Sequence, residues 1–93
     1  MYTYNKPVGP RDIEGYLRRI AASQAKVGGQ RTMLKAQCRR RYWIIWCDGE
    51  PHSAVAIATG KIYRVRSDRC QVRDRTIRGS IWDTEMFVHP YRI

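Results

Sequence analysis

The sequence predicts an α+β fold in which one N-terminal amphipathic helix packs on an antiparallel sheet, a meander of four to five strands. Apolar residues recur at helical spacing between residues 10 and 27, and the pattern changes to two-residue alternation after Met33. Turn residues then divide the second part of the chain into short runs. At 93 residues the chain is long enough for one modest core, so we expect a single domain over residues 1–93.

The helix is predicted from about Pro10 to Lys26. Proline suits the first helical position, and Asp12 and Glu14 place negative charge near the positive end of the helix dipole. Two glycines, Gly28 and Gly29, end the pattern. The polar residues that follow predict a mobile loop from Gly28 to Thr32, placed where it would clamp a bound partner.

The faces of this helix are distinguished by their apolar spacing. The buried stripe is predicted to contain Ile13, Tyr16, Leu17, Ile20 and Val27, with Ala21 beside it. The arginines of the helix lie away from that stripe and are expected to face solvent: Arg11, Arg18 and Arg19. Glu14 precedes Arg18 by four residues, the spacing of a supporting ion pair.

The aromatic and β-branched run Tyr42–Cys47 predicts a central strand. Alternation places Trp43 and Ile45 on one face, and it places Tyr42, Ile44 and Trp46 on the other. Because both faces are apolar, we expect this strand to be covered on both sides, with the helix on one of them.

Two further strands follow the central one. Asp48–Pro51 has turn composition, and proline cannot donate to a central ladder, so the returning strand is predicted over Ser53–Ala58. Thr59 and Gly60 form the next turn. Lys61–Arg66 is then predicted as a strand, with Tyr63 and Val65 on one face.

Alternation also predicts a hairpin that collects charge. Across a polar turn at 67–70, Val65 is expected opposite Val72 and Arg64 opposite Arg73 in a strand running from Gln71 to Arg78. This register produces a basic patch of Arg64, Arg66, Arg73 and Arg75. Gly79 and Ser80 precede a last predicted strand over Glu85–His89, which Pro90 ends.

Arginine dominates the charge of the chain. There are 14 arginines and 4 lysines, and the formal net charge is +10. The planar guanidinium forms paired hydrogen bonds to phosphate or carboxylate, so we expect an anionic partner, either nucleic acid or an acidic protein surface. The predicted binding residues are Arg39, Arg40, Arg41, Arg64, Arg66, Arg73 and Arg75.

The cluster Arg39–Arg41 borders the aromatic strand. On strand alternation Arg39 and Arg41 share a face with Trp43, and Arg40 shares the other with Tyr42. Guanidinium beside aromatic planes suits single-stranded nucleic acid. The alternative is that Trp43, Trp46 and Trp82 fill the core, because so short a chain has few other large side chains.

Several classes of function are disfavoured. No apolar run is long enough for a membrane span or a secretion signal, and three cysteines without a C-x-x-C pair indicate a cytoplasmic protein with reduced thiols. The spacing of Cys47, His52, Cys70 and His89 is too irregular for a zinc site. Asp48 with Glu50, and Asp83 with Glu85, make a poor basis for a metal nuclease. We therefore expect no metal and no cofactor.

One resemblance concerns the C-terminal half. Tyr63-Arg64-Val65-Arg66, a second basic strand and His89-Pro90-Tyr91-Arg92 resemble the C-terminal half of RelE/ParE-like toxins, small basic α+β proteins of which some cleave messenger RNA on the ribosome. The residue types agree with a metal-free ribonuclease, since Arg64, Arg73, His89 and Tyr91 supply charge stabilisers and proton-transfer groups without a cofactor. The resemblance implies the same class of activity. The chain departs from that family in its one predicted helix, where the family has a helical hairpin, and in its Trp-rich centre.

Three functions are thus open, in this order. The first is a non-enzymatic protein that binds the nucleic-acid backbone, RNA or DNA, through its arginine-rich sheet face. The second is an inhibitor or adaptor, such as a phage-encoded anti-defence protein, that docks on an acidic host protein. The third is the ribonuclease that the toxin resemblance implies.

Overall fold

One helix precedes five strands in the computed structural model of the protein, which describes residues 5–27, 33–65, 72, 76–83 and 88. The elements are α1 (Pro10–Val27), β1 (Leu34–Cys38), β2 (Tyr42–Cys47), β3 (Glu50–Ala56), β4 (Lys61–Tyr63) and β5 (Gly79–Ser80). The strands lie in chain order in one sheet, and every neighbouring pair is antiparallel. The predicted α+β meander behind an N-terminal helix is confirmed. No helix of the described residues is long and apolar enough to cross a membrane.

Helix α1 begins where its sequence predicts. The Gly9 N–H donates to Asp12 Oδ2 over 2.8 Å, so the acid caps the residue before the helix, and the Asp12 and Ile13 amides donate to the Gly9 carbonyl. The helix ends at Val27, one residue beyond the predicted end. The loop predicted from Gly28 to Thr32 lies outside the described residues.

The buried stripe of α1 contains Ile13, Tyr16 and Ile20, as predicted, and Glu14 lies 3.8 Å from Arg18 in the expected pair. The following turn of α1 differs from the predicted stripe. Ala21 is exposed, and Ser23 is buried instead, with its hydroxyl donating to the Ile20 carbonyl over 2.7 Å. The local hydrogen bond satisfies the buried hydroxyl, so a serine is tolerated on the apolar side.

Arg19 does not face solvent as predicted. Its Nη1 donates to the Ile81 carbonyl over 3.2 Å, and its Nη2 donates to the Asp83 carbonyl over 2.8 Å. Arg19 therefore connects the middle of α1 to the chain that follows β5. Spacing alone cannot reveal this role, because the acceptors are main-chain oxygens more than sixty residues away.

Both faces of the sheet are apolar at its centre. The main cluster lies between the helix and the sheet and contains Val8, Ile13, Tyr16, Ile20, Ile45, Cys47, Val55, Ile62, Ile81 and Val88. The second cluster, on the other face, contains Ile44, Ala54 and Val65. The predicted alternation of β2 is confirmed, since Trp43 and Ile45 belong to the first cluster and Tyr42, Ile44 and Trp46 to the second.

Strand β3 begins three residues earlier than predicted. It starts at Glu50 and includes Pro51, so the turn contains only Asp48 and Gly49. Ile45 pairs with Ser53 and Trp46 with Pro51, which leaves His52 as the extra residue of a β-bulge. The bulge interrupts the ladder, and proline is accepted there. Strand β3 also ends at Ala56, and 57–59 form the next turn.

The partner of β4 differs from the prediction. Lys61 pairs with Ser80 and Ile62 with Gly79, so β5 consists of residues expected to precede a strand. In the predicted register, Lys61 and Ile62 would pair with residues four positions earlier in the chain than Ser80 and Gly79. The strand also ends at Tyr63, before Arg64. Half of the predicted second arm, 71 and 73–75, and most of the predicted last strand lie outside the described residues.

Gly60 and Trp82 make the closest approach in the sheet. Gly60 has a positive φ of 82°, and a Cβ built there would meet the indole Nε1 and lie 2.9 Å from Cδ1 and Cε2. The same indole donates to the Thr59 carbonyl over 2.8 Å, and Lys6 Nζ lies 5.1 Å from the ring centroid. The backbone conformation and the space both require glycine here.

We expect Gly60→Ala to destabilise the protein by roughly 2–4 kcal/mol, because a side chain adds both backbone strain and a steric clash with Trp82. Gly15→Ala is the matched control. Gly15 lies within α1 with no atom within 4 Å of a built Cβ, so alanine there should stabilise by about 0.5–1 kcal/mol. Denaturant melts measure both changes, and equal effects would contradict the packing described for Trp82.

Candidate nucleic-acid interface

The sheet face turned away from α1, here called the distal face, is defined by the strand register. Gln37 lies opposite Ile44, Ile44 opposite Ala54, and Ala54 opposite Tyr63. Cross-strand partners share a face, as do residues two apart on a strand. The distal face therefore contains Lys35, Gln37, Tyr42, Ile44, Trp46, Ala54, Ala56, Lys61 and Tyr63.

Two tyrosines meet across the middle of this face. The ring centroids of Tyr42 and Tyr63 are 5.9 Å apart and the ring planes cross at 82°, an edge-to-face pair. Their strands are separated by β3, whose residues on this face are Ala54 and Ala56. Because alanine side chains are short, the rings can lean over β3 and touch. Both tyrosines stay half exposed.

The connection between β1 and β2 is formed by Arg39, Arg40 and Arg41, here called the arginine turn. All three are exposed. Main-chain bonds hold both ends, because the Arg39 N–H donates to the Tyr42 carbonyl over 2.9 Å and the Ile57 N–H donates to the Arg41 carbonyl over 3.0 Å. The turn thus presents three guanidinium groups from a backbone anchored in the sheet.

The Arg39 side chain lies on the distal side. Its Nε and Nη2 donate to Gln37 Oε1 over 3.3 and 3.2 Å, and Gln37 belongs to the distal face. The predicted sharing of a face with Trp43 is wrong, because the chain reverses at the arginine turn and Trp43 packs with the helix-side cluster. Arg39 is beside Tyr42 instead.

Arg64 directly follows Tyr63 and is exposed. Because Tyr63 and Val65 both lie on the distal face, strand alternation places Arg64 on the opposite face, with Ile62. Of the predicted arginines that the structure describes, Arg39 is the one whose contacts place it on the distal side. Arg66, Arg73 and Arg75 lie outside the described residues, so their place in the site stays a prediction. Val72 packs against the cluster that contains Val65, but the observed pairing of β4 is shifted by four residues from the predicted register, so the pairing of Val65 with Val72 stays a prediction.

The guanidinium groups of this site lack acidic partners. In the part of the chain that the structure describes, no carboxylate lies within 4 Å of Arg39, Arg40, Arg41 or Arg64. The described acids are engaged or placed elsewhere: Asp12 caps α1, Glu14 pairs with Arg18, Asp48 and Glu50 flank the far end of β2, and Asp83 lies beside Arg19. Among the described residues, therefore, no carboxylate neutralises these guanidinium groups directly.

A buried polar chain joins the helix to β3, and sequence reasoning missed it. The Tyr16 hydroxyl lies 2.9 Å from Ser53 Oγ, which lies 2.9 Å from His52 Nδ1, and all three residues are buried. Burial raises the pKa of the Tyr16 phenol well above its usual value. The sequence feature that points to this chain is the position of Tyr16 within the apolar stripe, because a buried phenol needs a polar partner.

The half-buried tryptophans agree with the core alternative more than with a surface role. Trp43 and Trp82 pack against the helix-side cluster and Trp46 against the distal one. Of the residues weighed as zinc ligands, Cys47 and His52 are described, and no group of three His, Cys, Asp or Glu gathers among the described residues.

Comparisons with protein-family models, with curated proteins and with solved structures found no match.

Val65→Asp tests this account of the distal face. Val65 is 7% exposed in the cluster with Ile44 and Ala54, so an aspartate there buries an unpaired charge and should cost about 3 kcal/mol or more. Arg64→Ala, one residue away and exposed, should leave the melting temperature nearly unchanged. Similar losses of stability in the two variants would contradict the assigned faces.

Proposed function

We propose that the protein is a non-enzymatic nucleic-acid-binding protein that contacts backbone phosphates through the arginine turn and Arg64. The observation that carries the proposal is the exposure of Arg39, Arg40, Arg41 and Arg64, none of which pairs with a described carboxylate, together with the position of Arg39 beside the partly exposed tyrosine pair. Planar guanidinium suits phosphate better than ammonium does, and arginine outnumbers lysine 14 to 4.

The position of the acids supports the same function. Asp48 and Glu50 lie at the end of β2 opposite the arginine turn, and six residues of strand span roughly 17 Å. This separation exceeds the screening length of about 8 Å at physiological ionic strength, so these acids do little to weaken attraction of phosphates to the turn. An anionic partner approaching the arginine turn therefore meets a mostly positive field.

The burial and hydrogen bonding of Ser53 and His52 support a binding role without catalysis. Ser53 is fully buried, and its hydroxyl is shared between Tyr16 and His52, so it is held as a structural link and not presented to a substrate. Neither Cys38 nor Cys47 forms a disulfide with a described residue, which fits the cytoplasmic location that we include in this proposal.

Salt dependence is the first test. If the protein neutralises four to six phosphates, the logarithm of its affinity for duplex DNA should fall with the logarithm of salt with a slope of roughly −4 to −5. The double substitution Arg39→Gln, Arg41→Gln should reduce that slope by about 2 and weaken binding to all sequences alike. Filter binding or fluorescence anisotropy at several salt concentrations measures both quantities.

The matched control is the double substitution Arg11→Gln, Arg18→Gln, which removes the same charge from the exposed side of α1. It should lower affinity only slightly. Equal losses from the two variants would indicate attraction by net charge alone and no site at the arginine turn. Absence of nucleic-acid binding at low salt, with a protein partner retained through nuclease treatment, would favour the inhibitor or adaptor instead.

RNA cleavage is the second test, because the toxin resemblance names His89 and Tyr91, which lie outside the described residues. We expect the purified protein to leave labelled RNA intact, alone and with translating ribosomes. Were these residues proton-transfer groups, replacing either by alanine would reduce cleavage by ~100-fold or more. Cleavage that depends on His89 would replace the binding function with the ribonuclease.

A further inference from the structure

We propose that the distal face binds unpaired bases by stacking on Tyr42 and Tyr63, so that single-stranded nucleic acid is the preferred ligand. This rests on the proposed nucleic-acid function and adds the class of ligand to it. Backbone contacts alone do not distinguish single strands from duplexes, whereas contact with the face of a base does.

The aromatic groups are on a sheet face, where side chains stand roughly perpendicular to the sheet. Tyr42 and Tyr63 are partly exposed, while Ile44 and Ala54 on the same face are almost fully buried at 2% and 0% exposure. Val65 and Val72 cover part of this face, and accessible aromatic surface is contributed by the two rings. Their planes cross at 82°, so their outer surfaces point in different directions and accept one base on each ring at most.

Each ring has a cation at close range. Arg39 lies beside Tyr42 on the neighbouring strand, about 5 Å away in the hydrogen-bonding direction. Lys61 shares the face of Tyr63 two residues earlier on β4. A strand whose bases stack on the rings would thus have phosphates within reach of these cations. In a duplex the base faces are stacked on one another and closed to the rings.

Gln37 positions the cation beside Tyr42. Its Oε1 accepts hydrogen bonds from Nε and Nη2 of Arg39, which restrains the guanidinium plane on the distal side. The Nη1 group is not used in that contact and can donate to phosphate. A guanidinium that is already oriented loses less side-chain freedom on binding than a mobile one does. Gln37 is thus a positioning residue for phosphate contact next to a stacked base.

The experiment compares a short oligouridine with an RNA duplex of equal length. Tyr42→Leu and Tyr63→Leu keep an apolar side chain over Ala54 but remove the ring. We expect each to weaken oligouridine binding by about 10-fold or more, with duplex binding and the salt slope unchanged. Tyr42→Phe and Tyr63→Phe retain the ring and should bind like the wild type. Thermal melts verify that the leucine variants are folded.

A second measurement on the unaltered protein covers the case in which the leucine variants unfold. Photocrosslinking to bromouridine-containing single strands should attach to Tyr42 or Tyr63, and crosslinks found only elsewhere would overturn the stacking proposal. Leucine variants that bind oligouridine normally, while the Arg39→Gln, Arg41→Gln variant does not, would overturn stacking and leave the backbone-binding function intact. A wild-type protein that binds neither probe would overturn both.

Discussion

The central strand β2 is the constraint on which the rest of the structure depends. It carries Ile45 toward the helix and Ile44 toward the distal face, and both are nearly inaccessible to solvent. A strand that is apolar on both faces must be covered on both, or its apolar area stays in water at about 25 cal/mol per Å². The helix covers one face with Ile13, Tyr16 and Ile20.

The cover on the distal face is much smaller. It includes Val65 and Val72, with the tyrosine pair and Trp46 packed around Ile44 and Ala54. Aromatic residues that must both cover a core and border solvent keep part of each ring accessible, which is the usual arrangement for amphipathic tyrosine. The same side chains thus stabilise the sheet and form the candidate site.

The parts of the fold with a strong local period could be predicted from the sequence. The helix and the faces of β2 agree with prediction to within one residue, because the 3.6-residue and two-residue periods are clear there. Features that depend on distant partners were missed. The β-bulge at His52 admits Pro51 into β3, and the partner of β4 is the two-residue strand Gly79–Ser80, for which no local pattern exists.

The candidate site was foreseen in part for the same reason. A run of three arginines and Arg64 are visible in the sequence, and the structure finds all four exposed. The side on which Arg39 lies depends on the reversal of the chain at the turn, which simple alternation cannot represent. The meeting of Tyr42 with Tyr63 depends on two alanines of the strand between them, and no pairwise spacing along the chain contains that information.

The two turns that flank β2 carry opposite charge. Three arginines form one turn, while Asp48 and Glu50 lie at the other. A polyanion is attracted to the first turn and repelled from the second, so it would align with its contacts running from the arginine turn onto the tyrosine pair. Folding stability does not require this arrangement, since exposed charges at turns contribute little. In the proposed function, the charge difference between the two turns would act on the approach and orientation of the anionic partner.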